Sequence, residues 1–379
     1  MKVLQLGKFY PIRGGVEKVM WDLTEGLSAA GVTCDMLCAW LRGDGPDDRD
    51  KVLYQGNGVF RFNSFGRVIC VPAWTKKAAT MIAPAMISWL RKHAAEYDII
   101  HVHHPDPMAA LALRLSGYKG KVVLHWHSDI VSQRFFLSLY KPLQTWLIGR
   151  ADKILGTTPV YVASSPYLKD VQDKCGYVPI GIDPVRYDAA QVQVIRERHT
   201  GETLLFSLGR LVPYKGFSYL IDAMSLLPER FHLILGGKGP LQEALEAQIR
   251  EKGLQRRASL LTGYIPDETV NALFGAADIF VLPSVMKTEA FGIVQIEAMS
   301  CGTPVVATRI PESGVSWVNE DGVSGRNAAP EDARSLADAI LAVEAQKEKY
   351  AEGAALRFRE TFSKEIIINK IMSIYENLS

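Results

Sequence analysis

Short apolar runs, each followed by a loop and an amphipathic helix, recur along this chain, and few folds accommodate that alternation. Lys2–Leu6, Thr33–Ala39, Asp98–Val102, Lys121–Trp126 and Lys153–Thr157 read as buried strands. Between the first two, Val16, Val19, Met20, Leu23 and Leu27 stand at helical spacing and predict a helix from about Val16 to Ala30. The segment Y-V-P-I-G-I-D-P (177–184) punctuates the chain. The alternation then restarts with Thr203–Leu208, His232–Gly236, Ser259–Thr262, Ile279–Leu282 and Pro304–Thr308. Strands alternating with helices form parallel sheets covered on both faces. At 379 residues the chain is too long for one such core. The expectation is an α/β protein of two doubly wound domains, 1–180 and 181–363, with a terminal helix in 364–379.

Composition narrows the partners. The chain is 48% hydrophobic and 22% charged, as globular proteins are, and its net charge of +2 argues against nucleic acid. Cys34, Cys38, Cys70, Cys175 and Cys301 are odd in number and form no C-x-x-C pair, which fits a reducing cytosol. The opening M-K-V-L-Q-L-G reads as a strand, not a signal peptide. The uncharged run Ala78–Leu90 has 13 residues, short of the roughly 20 that span a bilayer. A cytoplasmic protein is expected, soluble or peripheral on the inner membrane face.

Two predicted helices bear on that choice. Trp74–Glu96 carries Lys76, Lys77, Arg91 and Lys92, and Gln133–Gly149 is flanked or crossed by Arg134, Lys141 and Arg150. Packing on the protein's own sheet and contact with an anionic membrane surface both fit such helices. The histidines of the strands (His101, His103 and His104; His125 and His127) invite a metal reading. No carboxylate or cysteine shares their spacing, so His101, His103 and His125 are expected as core histidines with satisfied hydrogen bonds. His127 differs, because it ends its strand in H-S-D-I-V, at the carboxyl edge where α/β sheets place ligands. The acidic loop Asp44–Asp50, with its D-R-D, reads as solvated and not as a metal site.

The chemistry concentrates in two loops of the second half. V-L-P-S-V-M-K-T-E-A-F-G-I-V-Q-I-E-A-M-S-C-G-T-P-V-V-A-T (281–308) predicts strand, loop, helix from about Phe291 to Ser300, and strand. Glu289 precedes the helix and Glu297 lies about two turns inside it. Ala290, Phe291 and Gly292 would offer backbone N–H groups at the positive helix end, and Gly292 would let a ligand approach the backbone. In S-L-G-R-L-V-P-Y-K-G (207–216), Arg210 and Lys215 flank a turn past a strand end. A guanidinium and an ammonium there suit adjacent phosphates, while carboxylates accept hydrogen bonds from sugar hydroxyls. Together they describe a nucleotide-sugar site with fixed cations and no metal. Gly14-Gly15, before the first helix, is a second candidate phosphate approach.

Those two stretches, with G-G-K-G-P-L (236–241), G-G-V-E-K (14–18) and H-S-D-I-V (127–131), resemble the retaining glycosyltransferases of family 4. The resemblance covers nearly the whole chain. It implies the GT-B fold, two Rossmann-like domains facing a central cleft, the first for the acceptor and the second for the donor. It also implies that the terminal helix crosses back to the first domain. Arg210 and Lys215 would hold the donor diphosphate, with backbone contacts from Gly14, Gly15, Gly239, Ala290, Phe291, Gly292 and Ile293. Glu289 would bind donor-sugar hydroxyls and Glu297 the ribose. His127 would lie near the anomeric carbon, and Tyr264–Ile265 would face the base. R-I-P-E-S-G-V-S-W-V-N (309–319) is similar to bacterial mannosyl and rhamnosyl transferases of O-antigen or exopolysaccharide synthesis. GDP-mannose is thus the first donor, a UDP-hexose the second, and a lipid-linked glycan the acceptor. Two rivals remain: a sugar-nucleotide epimerase of the same fold, and a non-catalytic sugar-binding protein.

Overall fold

The computed structural model describes residues 1–12, 15–77, 80–129 and 134–378, leaving aside the side chains of 49, 77 and 134–139. The chain forms two compact units, Met1–Gly181 with Lys364–Ser379, and Ile182–Ser363.

The first unit contains β1 (Lys2–Phe9), β2 (Thr33–Leu41), β3 (Tyr54–Gly56), β4 (Val59–Arg61) and β5 (Gly66–Ala73). A hairpin, β6 (Thr75–Lys77) and β7 (Thr80–Ile82), leads on to β8 (Ile99–His104), β9 (Lys121–Trp126), β10 (Lys153–Gly156) and β11 (Cys175–Tyr177). The main sheet runs β11-β10-β9-β8-β1-β2-β5-β4-β3. It is parallel except for β4, antiparallel to β5, and β3, antiparallel to β4. From β1 the chain builds outward to β2, then returns to lay β8 on the other side. The switch point therefore lies between β1 and β8, and its carboxyl edge is where such sheets open a crevice. Helix Pro107–Ser116 starts sharply there. The Asp106 carboxylate accepts from Met108 N (3.0 Å) and Ala109 N (3.1 Å), and Pro107 fills the first helical position, which needs no donor.

The second unit is a parallel sheet ordered β14-β13-β12-β15-β16-β17. Its strands are β12 (Thr203–Leu208), β13 (Phe231–Gly236), β14 (Ala258–Leu261), β15 (Ile279–Leu282), β16 (Val305–Thr308) and β17 (Gly325–Ala328). The switch point is between β12 and β15. Ile279, Phe280, Val281 and Leu282 are all buried, as expected of a strand covered on both faces. Phe206, Phe274 and Phe280 pack with ring centroids 5.1–5.8 Å apart. At the opposite edge Asp278 takes Arg196 in a bidentate pair (2.7 and 3.0 Å), Lys347 (2.6 Å) and the Leu204 amide (2.7 Å). Burial alone would raise its carboxyl, but those partners hold it low.

The long helix expected over Trp74–Glu96 does not form. Thr75 pairs with Ile82 and Lys77 with Thr80 in the β6–β7 hairpin, and a helix runs only over Pro84–His93. Pro84 explains the boundary, because proline is accepted in the first helical turn but not in the interior. Lys76 thus leaves the helix that carries Arg91 and Lys92, and the single basic face read from the sequence does not exist. The acidic loop is also less free than expected, since the Tyr10 hydroxyl donates to Asp50 (2.8 Å) and accepts from Asp47 N (2.7 Å).

Candidate functional site

Each switch point gathers chemistry from its own unit. In the second unit the loop after β12 is stitched down on both sides. Leu211 N donates to Lys238 O (3.0 Å), and Leu241 N to Leu211 O (3.1 Å). A Cβ at Gly239 would overlap the Leu211 backbone, so this glycine serves the close approach of two loops. Val285 N donates to Tyr214 O at 2.8 Å, joining the loops after β12 and β15. Gly216, at φ +66°, lies so close that a Cβ would overlap the Pro283 carbonyl oxygen.

That stitching delivers Lys215 to Glu289. The two side chains, each about nine-tenths buried, form an ion pair between Nζ and Oε2. Ser284 Oγ donates to the same Oε2 at 2.9 Å, and Ser313 Oγ donates to the Glu289 carbonyl oxygen. An ammonium has three donors, so the pairing leaves Lys215 two for phosphate oxygens. Arg210 is exposed, with Nη2 on the Tyr214 hydroxyl at 3.1 Å.

The helix beyond Glu289 begins at Ile293, two residues later than the sequence predicts, and runs to Ser300. Gly292 precedes it at φ +73°, a left-handed conformation that favours glycine. A Cβ there would overlap the Leu282 side chain. Close packing thus adds to the left-handed backbone in favouring glycine at this position. Phe291 is buried against Phe362. Glu297 is half-buried and about one turn in, not two. Among the described residues no side chain caps this helix start; Gln295 N donates to Gly292 O (2.9 Å), and the amides of Ile293 and Val294 face the position an anion would take. Tyr264, 85% exposed, and Ile265 follow β14 at the same carboxyl edge.

In the first unit Gly15 opens the helix Gly15–Ala29 at φ +60°; Gly14 lies outside the described residues. His127 is buried just past β9, its Nε2 2.9 Å from Nδ1 of His103. His101, His103, His125 and His127 share one face, because i and i+2 point the same way in a strand. Their rings stack in neighbouring pairs with centroids 4.1–5.3 Å apart and planes within 24°. Nitrogens of His101, His103 and His125 come within 4.8 Å of one another. Near-parallel rings, however, aim their lone pairs side by side and not at one ion. The core histidines are not all satisfied, contrary to expectation: Nε2 of His101 and both nitrogens of His125 have no hydrogen-bond partner among the described residues. His104, on the other face, stacks on Trp126 at 3.8 Å. Burial pushes all five imidazoles below their usual range, His104 and His125 to about 3.

Sequence reading passed over Lys8 and Asp106 at the same switch point. Lys8 is buried at φ +61°; its amide donates to Asp106 Oδ2 and its Nζ to Pro105 O (2.6 Å). Burial lowers the ammonium pKa against the opposing charges of Asp106 and Glu17. A lysine directly after an apolar strand and a glycine was the available signal.

Comparison with known proteins agrees with this geometry. The family described as Glycosyltransferase Family 4 matches residues 13–186, and Glycosyl transferases group 1 matches residues 191–355. The chain is 31% identical to O-antigen chain mannosyltransferase C of Escherichia coli, over 100% of this chain and 99% of that protein. It is 28% identical to D-rhamnosyltransferase WbpZ of Pseudomonas aeruginosa, covering 96% and 92%. Among solved structures, Anabaena Alr3699/HepE in complex with UDP superposes with a TM-score of 0.78 at 22% identity over the full length of both chains. WaaG, a glycosyltransferase involved in lipopolysaccharide biosynthesis, does so at 0.66 and 20% identity, over 99% of each. Two doubly wound units of the GT-B fold, with cations and a carboxylate gathered at a sheet switch point, are thus accounted for together: this chain is a glycosyltransferase and belongs to family 4.

Proposed function

We propose that this enzyme transfers a hexose with retention from a nucleotide-sugar to a lipid-linked glycan in bacterial surface-polysaccharide synthesis. Mannose from GDP-mannose is the first donor. The observation that carries the reading is the buried Lys215–Glu289 pair beside an uncapped helix start, with Arg210 on the same loop. The names of the mannosyl and rhamnosyl relatives supply the sugar class.

In this reading Lys215, Arg210 and the leading amides of helix Ile293–Ser300 neutralise charge growing on the leaving diphosphate. The bond from the anomeric carbon to the diphosphate oxygen breaks as the acceptor hydroxyl oxygen bonds to that carbon on the same face. The hydroxyl proton passes to the departing phosphate oxygen. Glu289 accepts hydrogen bonds from donor-sugar hydroxyls, Glu297 from the ribose, and Tyr264–Ile265 borders the base. Gly15 and His127 are assigned a backbone contact to the diphosphate and a contact to the donor sugar. Fixed cations take the place of a metal, so none is required.

The test is turnover of radiolabelled GDP-mannose and UDP-hexoses with bacterial lipid extract, with and without excess chelator. Label should enter the lipid fraction from GDP-mannose and be indifferent to chelator. Transfer from a UDP-hexose alone would replace the donor, strict dependence on added divalent ion would overturn the fixed-cation mechanism, and interconversion of sugars without transfer would indicate an epimerase.

A further inference from the structure

The hydrogen bonds behind His127 have a direction that can be worked out group by group. Hydrogen positions follow from the requirement that each contact pair one donor with one acceptor. Gln5 donates through its amide nitrogen to Cys34 Sγ at 3.8 Å and to the Tyr375 hydroxyl at 3.0 Å. Its oxygen must then face His103, where Oε1 and Nε2 are 2.7 Å apart.

An amide oxygen only accepts, so the proton between them sits on His103 Nε2. His103 is buried among His101, His125, His127 and Lys8, and it is neutral. Its Nδ1 is therefore bare. The 2.9 Å contact with His127 Nε2 then requires the proton on His127. His127 is likewise neutral, with burial as the main cause and the nearby His125, Lys8, His101 and His104 acting in the same sense. Its remaining nitrogen, Nδ1, carries a lone pair and no proton. At the far end the Tyr375 hydroxyl accepts from Gln5 and donates to His101 Nδ1 at 2.6 Å. Tyr375 belongs to helix Lys364–Glu376.

We propose that His127 is a fixed hydrogen-bond acceptor, its bare Nδ1 offered to a substrate hydroxyl and held in that tautomer by His103, Gln5 and Tyr375 as positioning residues. This rests on the reading that His127 meets the sugar substrate. A bare lone pair accepts from a hydroxyl, so the ligand class at this point is a hydroxyl-bearing sugar.

Two measurements on the full chain test this. With 15N-labelled histidine, assigned through His127→Gln, ring-nitrogen shifts should show His127 protonated at Nε2 alone at neutral pH. Gln5→Met removes the acceptor that orients His103, so the His127 signal should move to a mixture of tautomers. Turnover with neutral hexose donors should then fall about tenfold, the worth of one hydrogen bond. Gln5→Glu keeps an acceptor and should restore both signal and turnover, which a packing role alone would not require. Tyr375→Phe should move the signal the same way and stands in if Gln5→Met fails to fold. A His127 protonated at Nδ1, or a tautomer indifferent to Gln5→Met and Tyr375→Phe, overturns the proposal. If the tautomer behaves as stated but His127→Phe leaves turnover intact, it is the substrate contact of His127 that fails.

Discussion

Lys215 and Glu289 are about nine-tenths buried and each is the other's counter-charge, so neither can be removed without consequence for its partner. Glu289→Ala strands a buried ammonium and should cost about 3–5 kcal/mol of stability, whereas Lys215→Met with Glu289→Ala should recover part of that. Denaturant midpoints of the single and double variants measure the difference. Turnover should fall by about 10²-fold or more when Lys215 is replaced, the usual loss when a donor to a developing oxyanion is removed, and Glu289→Ala should cripple transfer by removing the acceptor of donor-sugar hydroxyls. Asp48→Ala, at a fully exposed carboxylate on the acidic loop, should leave it unchanged. Arg210, Lys215 and Glu289 were legible because their spacing between glycines and strand ends is itself informative. Lys8 and Asp106 were not. Their pairing depends on a 98-residue separation closed by strand order, which no local pattern records. The histidine chain was hidden for the same reason, since its direction is set by Gln5, Cys34 and Tyr375, remote in sequence.

Among elements, strands buried on both faces were the most legible. Ile279–Leu282 is a continuous apolar run, Lys121–Trp126 is buried from Val122 onward, and both occur where expected. What escaped were elements without a periodic signal. β3 and β4 have three residues each, and helix Ala189–Arg198 buries none of its side chains. The Trp74–Glu96 error came from reading one apolar stripe across a proline that starts a new helix. Loops were read by their cations, yet their glycines set the geometry. Gly216→Ala would place a methyl group on the Pro283 carbonyl at a φ that alanine disfavours. It should lower stability by about 1–3 kcal/mol and pull apart the loops that present Lys215 to Glu289. Thermal melts with and without GDP should show both a lower midpoint and a smaller nucleotide-induced rise.

At the scale of the whole molecule the two units should respond differently to acid. His101, His103, His104, His125 and His127 all lie in the first unit and resist protonation when folded. Once unfolded they titrate near 6.5. Below that pH the unfolded chain binds protons that the folded one refuses, so stability is full above about pH 6.5 and declines as pH falls below it, down to about 3 for His104 and His125. Each histidine contributes up to about 1.4 kcal/mol per pH unit in that window. Of the seven tryptophans only Trp317 lies in the second unit. Tryptophan emission during denaturant unfolding at pH 7 and pH 5.5 should therefore report a first-unit midpoint that drops on acidification. An unchanged midpoint would mean that these histidines are protonated in the folded state.

The last helix, Lys364–Glu376, belongs to the first unit, where Lys364 pairs with Glu25 (2.6 Å) and Tyr375 reaches Gln5. The second unit is thus an insertion within the first. During synthesis the ribosome must deliver all of 182–363 before the piece that closes the first unit appears. The earliest strands to emerge are therefore among the last to be finished. The inserted unit is complete in sequence while its host still waits, with Gln5 lacking its tyrosine and the proton order of the histidine chain unset. Only a chain read through to its final turns carries a His127 of defined polarity.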